Sequence, residues 1–214
     1  MMVYVVVPVK HLAASKSKLA SVLTPKNRKH LTLAMLEDVL TAIRGSTVQE
    51  IVVVGSDFSV SELTTHAGAV YIREEARGLN RAISGSILWC MKRGAKSILI
   101  LPADIPLLSS ADINRIIEMA GNAESTMILS PSENGGTNAL YLKPPNLIPV
   151  SYGPGSFKRH LKQGRRRTAG VKLYYSSSVA FDIDSKDDLQ KLLRTPSTSL
   201  SSQFVAKVLK KNME

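Results

Sequence analysis

The chain is short of several things, and each shortage removes a class of function. It has one cysteine, Cys90, so no internal disulfide can form and no cysteine-rich zinc site can be built. Cys90 lies between Trp89 and Met91 in an apolar helical pattern and reads as a small buried hydrophobe. A cytoplasmic protein is expected. Aromatic residues make up 5%, which argues against a surface that stacks nucleic-acid bases. No apolar run approaches the roughly 18 residues a membrane helix needs, so no membrane partner is expected. The apolar N-terminus has neither a charged n-region nor a small-residue cleavage site and reads as a first strand rather than a signal peptide. Neither GxxxxGK[ST] nor GxGxxG occurs, which removes the P-loop and the dinucleotide-binding fingerprint. Acidic residues are outnumbered by basic ones, 17 to 28, for a net charge of +11. That balance favours polyanionic partners, either nucleic acid or small phosphorylated molecules.

What is present suits one α/β domain. At 44% hydrophobic residues the chain can bury a core. Val3 to Val9 is a nearly continuous β-branched run, as expected of a strand covered on both faces. Leu33, Leu36, Leu40 and Ile43 recur at helical spacing, with Thr24 as cap, Pro25 in the first turn and Gly45 as stop. Strands are then expected at Glu50 to Val54, Ala69 to Ile72, Ser97 to Leu101, Thr126 to Ser130, Ala139 to Leu142 and Val171 to Tyr175. Between them, helices are expected at Asp57 to Ala67, Leu79 to Arg93, from a Ser110 cap to Ala120, within Tyr152 to Gly164, and from a Ser185 cap to Leu193. Such alternation argues for a mainly parallel sheet with right-handed crossovers. Residues 1–194 read as the domain. Thr195 to Ser202 reads as a linker, and Phe204 to Lys211 as a short basic appendage that either docks on a partner subunit or frays.

Three carboxylates carry the chemistry. Asp104, in Leu101-Pro-Ala-Asp-Ile-Pro-Leu107, directly follows a strand, where open parallel sheets place ligands. Asp182 and Asp184 are two residues apart and face one side of an extended segment. Paired carboxylates repel unless a cation lies between them, and Mg2+ takes few carboxylates while keeping positions for substrate phosphates. Asp184 also adjoins Ser185 and has helix capping as an alternative use. The loop after the first strand holds Lys10, Lys16 and Lys18, with Ser15 and Ser17 as further donors, where phosphate-cradling loops occur in α/β folds.

Smaller polar groups complete the set. Gly78 permits close backbone approach, and Asn80 could contact a nucleoside or cap a helix. Gly135-Gly-Thr-Asn138 either presents Thr137 and backbone amides to an anion or forms a plain hairpin turn. Tyr152-Gly-Pro-Gly-Ser-Phe157 opens a helix whose first turn could hold an anion with Ser156 and Lys158, within possible reach of His160. Arg165 to Arg167 reads as a solvated loop.

The motifs VPVKxLxxxKSxL, AMLxDVL, GLNxA, LPADIPLL, GTNAL, YGPGSFxxH and DIDSxxDL occur between Val3 and Leu193 in a set order. This set resembles the 2-phospho-L-lactate guanylyltransferases of coenzyme F420 biosynthesis. The resemblance implies a Rossmann-like nucleotidyltransferase (GT-A-like) fold, similar to the catalytic domain of molybdenum-cofactor guanylyltransferases. It implies that GTP and 2-phospho-L-lactate give lactyl-2-diphospho-5′-guanosine and pyrophosphate, with phosphoenolpyruvate or 3-phosphoglycerate as acceptor in relatives. It also implies that the metal aspartates are Asp104, Asp182 and Asp184; Mg2+ is expected there, and Lys10, Lys16 and Lys18 are expected on the triphosphate. Pro8, Gly78 and Asn80 fall to the nucleotide, and Thr137, Gly153 and Ser156 to the acceptor. A homodimer is expected, without nucleic acid. Lys18 stands where the family often has Arg, keeping the charge without the bidentate fork. The rival readings are a transferase of the same fold with another nucleotide or acceptor, and a basic nucleic-acid-binding module.

Overall fold

The computed structural model describes residues 2–74, 78–168 and 170–211. Its seven strands are β1 (Val3–Pro8), β2 (Glu50–Gly55), β3 (Val70–Arg73), β4 (Ser97–Ile100), β5 (Thr126–Pro131), β6 (Thr137–Lys143) and β7 (Val171–Leu173). The helices are α1 (Pro25–Arg44), α2 (Phe58–His66), α3 (Leu79–Lys92), α4 (Ser110–Ala120), α5 (Ser156–Arg167), α6 (Ser177–Ala180), α7 (Lys186–Arg194) and α8 (Leu200–Lys211). The strands form one sheet in the order β3-β2-β1-β4-β6-β5-β7. β6 runs antiparallel to both its neighbours, and the other paired strands are parallel. From β1 the chain builds outward through β2 and β3, and beyond β4 it builds the other way. The carboxyl ends of β1 and β4 therefore flank the crevice at which such sheets bind ligands.

The alternation of side chains along β1 explains its place at the centre. Val3, Val5 and Val7 pack with Leu36, Val39 and Leu40 of α1 and with Ile113 and Ile116 of α4. Tyr4 and Val6 face the other way, onto Ile83, Ile87 and Cys90 of α3. A strand buried on both faces has no solvated side, hence its unbroken apolar run. Burial pushes the Cys90 thiol up to about 12, so it is inert at neutral pH.

A third apolar cluster lies beneath the end of the sheet. Leu19 and Leu23, from the loop after β1, meet Leu31 and Met35 of α1, Phe181 and Ile183, Leu189 and Leu192 of α7, and Val205 of α8. The stretch expected to be a linker is thus shorter, because α8 begins at Leu200. Asp38 of α1 accepts the Leu200 and Ser201 N–H groups at 2.7 and 3.0 Å, and Val205 is fully buried.

Side-chain caps mark the starts of α1, α4 and α7. Thr24 caps α1 by accepting from Asn27 N–H, with Pro25 in the first turn. Ser185 and Asp188 form a capping box on α7. The cap of α4 is Ser109, not Ser110. Asp112 stands three residues after Ser109 and closes a capping box with it. Arg165, Arg166 and Arg167 are exposed as expected, but in the last turn of α5 rather than in a loop, where cations offset the helix dipole.

Docking of α8 has a direct check. Val205→Asp would bury an unpaired carboxylate. Urea unfolding is expected to show a loss of roughly 3 kcal/mol of stability; an unchanged midpoint would mean that α8 does not pack here.

Candidate active site

The acidic residues come together because two distant segments are tied by their backbones. Ile183 N–H donates to the Asp104 carbonyl at 3.1 Å. Phe181 and Ile183 are buried in the third cluster, which in an extended segment turns Asp182 and Asp184 the other way. Asp104 and Asp184 line a hollow of about 310 Å³ together with Pro8, Lys10, Lys16 and Lys18. A second hollow of about 620 Å³ shares Pro8, Val9, Lys10 and Leu79 with it and extends to Gly78 and Glu74. A larger groove of about 900 Å³, between α8 and the start of α4, contains none of these lysines or carboxylates.

Lys16 is the pivot. It adopts the left-handed conformation (φ 52°), uncommon for a residue with a side chain. Its ammonium lies 2.5 Å from Asp104 Oδ2 and 3.1 Å from Asp184 Oδ1, with the side chain only 7% exposed. Burial alone would lower its pKa, but the two carboxylates outweigh burial and hold it above the usual lysine value. Lys18 reaches Asp184 Oδ2 at 3.5 Å from a largely exposed position. The loop is anchored by Leu12 N–H on Asp57 Oδ2 at 2.9 Å and by Ser15 Oγ against Thr32 Oγ1 at 3.0 Å.

The carboxylates are not equivalent. Burial works to raise the pKa of Asp184, but Lys16, Lys18 and Lys10 prevail and hold it low. Asp182 is raised by burial and by the negative charges of Asp104 and Asp184, against a hydrogen bond from Asn138 Nδ2 at 3.3 Å. The capping alternative for Asp184 is taken by its neighbours: Asp188 accepts the Asp184 and Ser185 N–H groups, leaving the Asp184 carboxylate to the lysines.

Among the described residues, no three carboxylate, imidazole or thiol side chains converge closely enough to hold a metal ion. The Lys16 ammonium stands between Asp104 and Asp184, where a cation would enter. The donor chemistry nevertheless fits Mg2+, which prefers hard carboxylate oxygens, and Asp182 is raised first by burial and then by the negative charges of Asp104 and Asp184 beside it.

Opposite the carboxylates, the Ser132–Gly136 turn is a hairpin joining β5 to β6. Thr137 and Asn138 then point to opposite faces of β6. Thr137 lines the first hollow. Its Oγ1 lies 3.0 Å from His160 Nδ1 and accepts from Ser156 Oγ at 3.2 Å. Asn138 Nδ2 donates to the Val179 carbonyl at 2.9 Å and to Asp182. Ser156 lies behind Thr137, and Gly153, with φ of 126°, forms the turn before α5 through its carbonyl and Ser156 N–H. Burial, helped by Arg159, drops the His160 pKa to about 4, so its imidazole is neutral.

Of the expected nucleotide contacts, Pro8 lines both hollows and Gly78 the second. Asn80 uses its amide on Tyr152, accepting from its N–H at 2.7 Å and donating to its carbonyl at 3.1 Å. It clamps the turn that precedes α5. Asn138 was not singled out from sequence, although its place beside Thr137 in a strand puts it on the opposite face.

The family model "Guanylyl transferase CofC like" matches residues 3–211. The chain is 42% identical over 192 residues to a phosphoenolpyruvate guanylyltransferase of Rubrobacter xylanophilus, covering 90% of this chain and 94% of that protein. It is 33% identical over 189 residues to a 2-phospho-L-lactate guanylyltransferase of Methanocaldococcus jannaschii, covering 88% and 81%. A crystal structure from Desulfovibrio desulfuricans, described as that of a candidate nucleotide-diphospho-sugar transferase, superposes with a TM-score of 0.80 at 14% identity, covering 99% of this chain and 98% of that one. That likeness bears on the fold, and agrees with the nucleotidyltransferase fold implied by the sequence motifs. By a match that runs from the first strand to the last helix, through every acidic and basic segment of the site, the chain belongs to the CofC-like guanylyl transferase family.

Proposed function

We propose that this protein transfers the guanylyl group of GTP to the phosphate of a three-carbon acid phosphorylated at C2, releasing pyrophosphate. The observation that carries this reading is the lysine–carboxylate hollow at the carboxyl ends of β1 and β4, in a chain of this family. Phosphoenolpyruvate is the acceptor favoured by the 42% identity to the Rubrobacter protein. The 2-phospho-L-lactate implied by the sequence motifs is the second reading, supported by the 33% identity to the Methanocaldococcus protein. Either acceptor suits a role in coenzyme F420 biosynthesis.

In this reading an oxygen of the acceptor phosphate attacks the α-phosphorus of GTP in line. The new P–O bond forms as the bond from the α-phosphorus to the bridging oxygen breaks, and pyrophosphate leaves. A phosphate monoester is already largely ionised near neutral pH, so no strong general base is needed. Positioning and charge stabilisation are the protein's tasks. The second hollow, beside Gly78, takes the nucleoside. Lys10, Lys16 and Lys18 neutralise the triphosphate as charge moves onto the leaving group. Asp104 and Asp184, backed by Asp182, would hold Mg2+, which when bound supplies Lewis-acid neutralisation at the phosphates. Lys16 would then turn its ammonium from the carboxylates toward the phosphates. Thr137 binds the acceptor.

Pyrophosphate release from GTP is expected with phosphoenolpyruvate or phospholactate and not with a nucleotide alone; the ratio of kcat/KM for the two acids ranks the acceptors. Asp104→Asn keeps the size of the side chain but removes its charge, and kcat is expected to fall on the order of 100-fold or more. Wild-type turnover in this variant would sink the carboxylate assignment. Asn138→Ala, which unties Asp182, is expected to cost about tenfold in kcat, an amount equivalent to ~1.4 kcal/mol. A steady-state assay with folding checked by circular dichroism reads both.

A further inference from the structure

Three contacts around His160 fix which way the hydrogen bonds run at the wall of the hollow. The Ser151 backbone N–H lies 2.8 Å from His160 Nε2. An amide N–H can only donate, so Nε2 accepts and carries no proton. His160 is fully buried in α5 and neutral, and the one proton of a neutral imidazole must then sit on Nδ1. Nδ1–H faces Thr137 Oγ1 at 3.0 Å and donates to it. Ser156 Oγ donates to the same oxygen at 3.2 Å.

A hydroxyl oxygen has two lone pairs and one proton. Both acceptor directions of Thr137 are thus occupied from behind, and its own O–H is left to point elsewhere. Thr137 is the member of the trio that lines the hollow, together with Lys16 and Asp104. The opposite tautomer would set Nε2–H against the Ser151 N–H and turn the Thr137 proton back onto Nδ1. The packing of Tyr152 edge-on to the His160 ring, with centroids 5.1 Å apart, helps hold the ring in place.

We propose that His160 is a positioning residue that locks Thr137 as an obligate hydrogen-bond donor to an anionic oxygen of the acceptor acid. Ser156 acts on the acceptor through Thr137. The wall formed this way favours a ligand oxygen that only accepts and is unsuited to one that must donate. This inference rests on the acceptor occupying the first hollow, as proposed above.

The test uses the full chain. In the 15N-labelled protein near pH 7, His160 is expected as the Nδ1–H tautomer with Nε2 bare; a protonated Nε2 overturns the proposal. In steady-state kinetics, Thr137→Val and His160→Phe are expected to raise the acceptor KM about 10- to 100-fold, the worth of a hydrogen bond to a charged group, with the KM for GTP within about twofold. Thr137→Ser keeps the hydroxyl and both lone pairs, and is expected to recover most of the loss. If the wild type turns over and Thr137→Val leaves the acceptor KM unchanged, the inference and the Thr137 contact fail while the proposed reaction stands. If the wild type releases no pyrophosphate with either acid, the proposed function fails and takes the inference with it. Should His160→Phe not fold, the tautomer and the Thr137 pair still decide.

Discussion

A lysine ammonium held almost wholly out of water needs partners, because an unpaired buried charge costs on the order of several kcal/mol. Lys16 finds them in Asp104 and Asp184, one after the fourth strand and the other beside the seventh helix. That requirement draws three remote stretches of chain to one point. The apolar cluster beneath makes the meeting possible, since Leu19 leaves the basic loop, and Phe181 and Ile183 leave the acidic segment, to share one core with α1, α7 and α8. Charge above and hydrocarbon below are two sides of the same assembly. Removing the last helix would loosen the floor on which the lysines and carboxylates stand.

The strands and most helix starts were legible because their signals are local. A β-branched run such as Val3 to Val7 can hardly be anything but a doubly covered strand, and Thr24 with Pro25, or Ser185 with Asp188, mark helix starts within a few residues. Ser109 and Ser110 are both good caps, and only the spacing to Asp112 separates them. Asp104 and the lysine loop could be placed at the crevice because sheet topology decides where strands end, whereas Asp182 and Asp184 follow a helix and reach it through the Ile183–Asp104 backbone bond. What could not be read was partnership. Asn80 is spoken for by Tyr152, 72 residues away, and Asn138 by Asp182, 44 residues away. Both amides are equally suited to a ligand on composition alone. His160 could be placed near an anion at the start of α5, but its tautomer could not be read without knowing which backbone N–H faced its ring.

The site's charge is arranged in opposition rather than in excess of one sign. The lysines hold Asp184 ionised, while Asp182 faces other carboxylates and an amide. In the proposed reaction this arrangement is poised for exchange: a polyphosphate would offer Lys16 a new anion, and a divalent cation would offer the carboxylates a new counter-charge. Each would make the other's entry easier, because neither would leave a charge unmatched.

The antiparallel strand β6 has a consequence for how freely this enzyme can change. Thr137 and Asn138 are consecutive, yet one serves the hollow and the other, projecting from the opposite face of the strand, steadies Asp182. Strand geometry couples the two duties with a period of two. Insertion or deletion of one residue in the Ser132–Gly136 turn, if it shifted the strand, would exchange the two side chains and ruin both. The turn is closed by the Gly136 N–H, which donates to Ser132 Oγ at 2.8 Å. In the proposed function, the length of this hairpin is therefore bound to the acidic cluster as well as to the acceptor wall.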